Sequence, residues 1–92
     1  MKSKASPDFW ECYRKLPPAQ RKQARKAFRF WLENPYHPSL SFKRISASDP
    51  IYSVRINEDY RTVGLFFKEE DQITWFWIGS HAEYDKIVKA WQ

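Results

Sequence analysis

Cysteine is almost missing from this chain: Cys12 is the only one in 92 residues. An internal disulfide is therefore excluded, and with it the stapled small domains of oxidising compartments. Histidine is nearly as scarce, present only at His37 and His81. These soft ligands are widely spaced and form no CxxC or HExxH pattern, so a dedicated zinc site is not expected and no cofactor is implied. Long apolar runs are lacking too. Neither a secretory h-region nor a stretch of membrane-spanning length appears, so the expectation is a cytoplasmic protein. No repeat and no linker interrupts the sequence, and its length fits a single domain, residues 1–92.

What is present is charge and aromatic mass. Sixteen Lys and Arg against eleven Asp and Glu give a net charge of +5. The first half is densely basic, while the acids gather in the second. That asymmetry fits a polyanionic partner, RNA above all; it fits equally a cationic surface that merely solvates the domain. Aromatics make up 18% of the chain, with five Trp and seven Phe. They supply enough buried area per residue for a compact fold without staples.

Ser6 followed by Pro7 is a helix start, and Phe9, Tyr13 and Leu16 then share one helical face. Pro17 and Pro18 break that helix. Beyond them Ala24, Ala27, Phe28, Trp31 and Leu32 recur at amphipathic helical spacing, to about Glu33. Arg21, Arg25 and Arg29 form one row on this second helix, beside Lys22 and Lys26. The row is a candidate for tracking phosphates, those of ribosomal RNA included; the alternative is a solvated face opposite a buried stripe. Phe30 lies off the stripe and is placed to face a partner. The segment NPYHPSLS (34–41) reads as an irregular connection, with His37 as a loop hydrogen-bonder.

The hydrophobic period then shortens from that of a helix to that of a strand. Segments 42–45, 51–56, 60–68 and 72–78 are rich in β-branched and aromatic residues and read as strands. Turns at 57–59 and 69–71 make the last three an antiparallel meander. Tyr52, Val54 and Ile56 share one face of their strand, Ser53 and Arg55 the other. In the last strand Ile73, Trp75 and Trp77 alternate with Thr74, Phe76 and Ile78, apolar on both sides as in a central strand. Gly79 ends it, and Ser80 with Glu83 makes a capping box for a final helix from His81 to about Ala90. The expected fold class is α+β: two N-terminal helices packed on a four-stranded, mainly antiparallel sheet, with a short C-terminal helix.

His81 thus opens a helix, a position suited to a proton-accepting imidazole. If strand order gathers Arg55, Arg61 and His81 around one concavity, they form the set that metal-independent RNA cleavage needs. The imidazole takes the 2′-hydroxyl proton, and the guanidinium forks bear the growing phosphorane charge. Lys43 and Arg44, on the first of these strands, are candidates for contacts to the RNA backbone.

The segments YSVRINEDYRTVGLFF (52–67) and WIGSHAEYDKI (77–87), set in a helix, helix, antiparallel-sheet order, resemble the RelE/ParE superfamily of bacterial type II toxin–antitoxin toxins. The resemblance spans nearly the whole chain, and its most specific pieces are Tyr52-Ser53-Val54-Arg55, Asp59-Tyr60-Arg61 and the corner Gly79-Ser80-His81. It implies an mRNA interferase of the RelE/HigB-like branch, an endoribonuclease that inhibits translation by cleaving messages, commonly at the ribosome. Matched by position, Arg61 corresponds to the arginine that stabilises the scissile phosphate and Arg55 to a neighbouring basic residue. His81 corresponds to the corner residue, an arginine in RelE and a catalytic histidine in some relatives. The C-terminal tyrosine that stacks on substrate in RelE has no counterpart. Tyr84, one turn beyond His81, is a substitute that would stack on a base or else pack against the sheet.

The resemblance also implies partners: mRNA with the ribosome, and a cognate antitoxin, which on physical grounds would use an acidic amphipathic segment. Two alternatives stand beside it. A ParE-like protein would inhibit DNA gyrase by binding and need no base, and a basic RNA-binding module would grip phosphates without activity.

Overall fold

A computed structural model describes residues 1–91. Helix α1 (Pro7–Arg14) starts where its cap does: the Ser6 side chain accepts the Phe9 N–H at 3.3 Å, and Pro7 fills the first turn, where its missing N–H has no helical partner to lose. So short a helix does not persist alone. Phe9, 2% exposed and 5.7 Å edge-on from Phe28, holds it in place. Helix α2 (Pro18–Glu33) begins at the second proline. Its buried stripe is Ala24, Ala27 and Trp31, narrower than the spacing suggests, because Leu32 is 49% exposed. A 3-10 turn (Pro38–Leu40) follows, capped by His37, whose Nδ1 accepts the Ser39 N–H at 3.2 Å.

Among the described residues the sheet has five strands in the order β1-β5-β4-β3-β2, one more than expected. These are β1 (Lys2–Ala5), β2 (Lys43–Arg44), β3 (Ile51–Arg55), β4 (Tyr60–Phe67) and β5 (Gln72–Ser80). The additional β1 runs parallel to β5, with Lys2 opposite Gln72 and Ala5 opposite Trp75. KSKA carries no alternating apolar signal because an edge strand needs only backbone partners, and lysines blunt such an edge. The remaining pairs are antiparallel, as the meander requires.

A bulge resets the phase of β5. Val63 pairs with Trp77 but Gly64 with Trp75, which leaves Phe76 as the extra residue. Trp77 therefore joins Phe76 on one face while Ile78 joins Trp75 on the other, which corrects the simple alternation expected over 73–78. Gly64 is required at the bulge: a Cβ there would stand 2.9 Å from both the Thr74 carbonyl oxygen and the Trp75 ring.

Two apolar clusters result. α1 and α2 cover one face, where Phe9, Ala24 and Trp31 meet Val54, Phe66, Ile73 and Trp75. Helix α3 (His81–Val88), continued by a 3-10 turn (Lys89–Trp91), covers part of the other through Tyr84 and Val88 on Ile51 and Val63. No helix among the described residues is long and apolar enough to cross a membrane.

Candidate functional site

The register of β3 on β4 sets Arg55 directly opposite Arg61. Like charges so placed repel, and among the described residues neither arginine forms a salt bridge. Both belong to the face under α3, since Arg55 has the parity of Ile51, and Arg61 that of Val63. α3 begins beside this end of the sheet and packs Tyr84 and Val88 farther along, which leaves the arginine end open.

Arg61 is held by the protein's own backbone. Its Nη1 donates to the carbonyls of Asn57 and Tyr60, the latter at 3.0 Å, so the guanidinium lies against the β3–β4 turn. Within that turn the Asp59 N–H donates to Asn57 Oδ1 at 2.9 Å, and across to α3 the His81 N–H donates to the Asp59 carbonyl at 2.7 Å. Burial first, and the Arg55 charge second, lower the pKa of Arg61 from its ordinary value, against the opposing pull of Tyr84, Asp85 and Asp59. A cation whose folded pKa is lowered costs stability at every pH below that value, and arginine stays charged throughout the neutral range. The cost is therefore constant there and adds no pH dependence near neutrality.

His81 is positioned by the capping box read from the sequence. Ser80 Oγ accepts the Glu83 N–H at 3.2 Å, and the Glu83 carboxylate accepts the Ser80 N–H at 3.4 Å. One turn on, Asp85 Oδ2 lies 3.0 Å from His81 Nδ1, with both side chains substantially exposed. The carboxylate is an obligatory acceptor, so Nδ1 carries the proton in the neutral ring and Nε2 is the free base. Sequence reasoning missed Asp85, although its i,i+4 spacing from His81 was a readable signal.

Arg55, Arg61, His81, Asp85, Tyr84 and Lys43 line one cavity of about 240 Å³, together with Ser41 and Ser53. A larger hollow of about 610 Å³ lies between Arg44 and Val88. Chemistry rather than size singles out the smaller one, because there three cationic side chains converge on an imidazole and a carboxylate. Ser53, also missed, shares the parity of Arg55, pairs in register with Lys43, and accepts the Tyr84 hydroxyl at 3.0 Å. Tyr84 is 8% exposed, its ring edge-on to His81 at 5.9 Å. It packs against the sheet, and a ring so covered has no face to offer a base.

The remaining basic candidates stand elsewhere. Arg44, of opposite parity to Lys43, donates through Nε to the Ser46 and Asp49 carbonyls at 2.9 and 3.1 Å and braces its own turn. Arg21 Nη1 donates to the Leu16 carbonyl in the α1–α2 connection and Arg25 Nη1 to the Tyr13 hydroxyl of α1, each at 2.8 Å, so two members of the α2 row brace the packing of α2 on what precedes it. Arg29 is exposed, and none of the three lines the cavity. Among the described residues no group of three or more His, Cys, Asp or Glu could hold a metal ion.

A family model described as the ParE-like toxin domain matches residues 18–86. No curated protein matches the chain in sequence. Among solved structures, the chain is similar to the isolated RelE toxin of E. coli, with a TM-score of 0.65 and 22% identity over 97% of this chain and 96% of that one. The archaeal RelE–RelB complex from Pyrococcus horikoshii OT3 matches with a TM-score of 0.68 and 13% identity over 86% and 92%. The RelB–RelE antitoxin–toxin complex from Methanococcus jannaschii matches with a TM-score of 0.69 and 16% identity over 90% and 96%. At such identities the likeness is one of fold.

Proposed function

This chain belongs to the ParE-like toxin family, and from that premise we propose that it cleaves messenger RNA in the cavity of Arg55, Arg61 and His81. The observation that carries this reading is a cross-strand pair of arginines that, among the described residues, has no carboxylate salt bridge, beside an imidazole oriented by Asp85. A phosphodiester seated between the two guanidiniums relieves their repulsion, and each fork matches its non-bridging oxygens. His81 Nε2 takes the proton of the ribose 2′-hydroxyl, while Asp85 keeps the ring in place and stabilises the imidazolium. The 2′-oxygen forms its bond to phosphorus, the bond to the 5′-oxygen breaks, and that oxygen takes up a proton. A 2′,3′-cyclic phosphate and a 5′-hydroxyl end result. Arg61, already fixed by turn carbonyls, needs little reorganisation as charge builds on the phosphorane. Lys43 adds a third positive charge at the cavity edge.

A message engaged on the ribosome in the cytoplasm is the substrate that this reading assigns. The same premise brings a partner. Two of the similar structures are complexes of RelE with RelB, and we assign this chain an antitoxin with an acidic amphipathic segment. Trp10, 46% exposed in a groove of about 370 Å³ that Lys4 and Arg25 also line, is a surface of suitable chemistry.

Primer extension on a reporter message, with and without ribosomes, tests the proposal when the purified protein is compared with His81→Ala. Cuts that vanish in the variant support it; undiminished cutting by the variant removes His81 from the chemistry. A second reading, inhibition of DNA gyrase by binding alone, is favoured by the ParE-like description of the matching family. It needs no base, and it predicts a supercoiling defect that His81→Ala leaves intact.

A further inference from the structure

Arg55 lines a second hollow. Beyond the cavity just described, about 500 Å³ opens between α2, the turn at 38–40 and the end of β3, and Arg55 is the residue common to both spaces. The volume lies in the range of small-ligand sites. Its wall is apolar at Phe30, Leu40 and Ile56, and Lys26 supplies a cation. Phe30 stands outside the buried stripe of α2 and packs only at the margin of the core. Its ring rests 4.8 Å from that of His37, which is itself held as the cap of the 38–40 turn. An aromatic ring and a cation thus share a hollow on the α2 side of β3, and Arg55, at the strand end, is the residue that this hollow shares with the arginine cavity on the α3 side.

An RNA strand held by one phosphate on Arg55 and Arg61 must send its flanking nucleotides away on either side of that phosphate. Unpaired bases are recognised by stacking on aromatic rings while cations follow the backbone. We propose that the second hollow is a nucleobase subsite: a base next to the scissile phosphate stacks on Phe30, and the following phosphate meets Lys26. Glu58, which also lines the hollow, is placed to accept from a base edge. Cleavage then acquires a nucleotide preference at that position. This inference rests on the RNA-cleavage reading.

The test maps cuts by primer extension on ribosome-bound messages of varied sequence, for the wild type, Phe30→Leu and Lys26→Ala. Phe30→Leu keeps apolar bulk and removes the π-face; its thermal midpoint checks that the domain stays folded. Lys26 is exposed, so its variant probes the subsite without touching the core. The wild type is expected to show a bias for one flanking nucleotide. Phe30→Leu should cut about tenfold less at favoured sites and lose that bias, and Lys26→Ala should cut all sites several-fold less. A bias that survives in Phe30→Leu, or a wild type that cuts without bias, overturns the subsite and leaves the ribonuclease reading standing. A wild type that cuts nothing overturns both.

Discussion

The two faces of the sheet are covered unequally and by different kinds of residue. α1 and α2 lay 8 and 16 residues of helix over one face, whereas α3 lays 8 over the other. The first face is closed by aromatic contacts: Trp75 meets Phe28 at 5.2 Å and Trp31 at 5.3 Å, and both tryptophans are at most 2% exposed. The second is closed where Tyr84, Val88 and Trp91 reach it, and its other end carries two arginines set against each other. Cohesion is concentrated on one face, which allows the other to keep an arrangement unfavourable to the empty fold. Local rules of charge pairing are broken at the proposed phosphate site.

His81→Ala separates the two faces most widely. Cleavage should fall about 10²- to 10⁴-fold, while the thermal midpoint hardly moves, because the His81–Asp85 contact is an exposed i,i+4 pair. Trp75→Ala strikes the closed face instead and should cost about 3–5 kcal/mol in a urea titration. A variant that stays stable would mean that the aromatic cluster is not what holds the fold.

Tyr84→Phe, at the border of the closed and open regions, removes the hydroxyl that donates to Ser53 and should cost about 1 kcal/mol with little change in cleavage. A hundredfold loss of activity at unchanged stability would return Tyr84 to the substrate. Arg55→Gln gives a small effect on stability with the most telling sign: relief of the cross-strand repulsion should raise unfolding free energy by about 0.2–1 kcal/mol. Paired urea titrations and primer extension should show stability rising as cleavage falls. A destabilised variant would show that the arginines do not repel in the free protein.

The two helices, the meander and the corner at Ser80 are legible in the residues, since each rests on local rules of prolines, period and capping. The Arg55, Arg61 and His81 set is legible as a list, and the fold gathers it into one cavity. Asp85 and Ser53 were missed for different reasons: Asp85 stands at a legible i,i+4 spacing from His81, whereas a serine in a strand acquires meaning only from the partner that it faces. The helix row Arg21, Arg25 and Arg29 shows the reverse case. Its spacing allowed either an RNA track or a solvated face, and two of its guanidiniums are engaged within the domain, Arg21 on the Leu16 carbonyl of the α1–α2 connection and Arg25 on Tyr13 of α1.

The sequence by itself determined the class of fold, the basic character and the residue types for phosphate chemistry, because propensity, period and charge act within a few positions along the chain. Tertiary structure alone decided that KSKA is an edge strand, that a bulge at Gly64 redirects Trp77, and that Arg55 meets Arg61. Those outcomes depend on pairing and register between segments distant in sequence, where a shift of one residue moves a side chain to the opposite face.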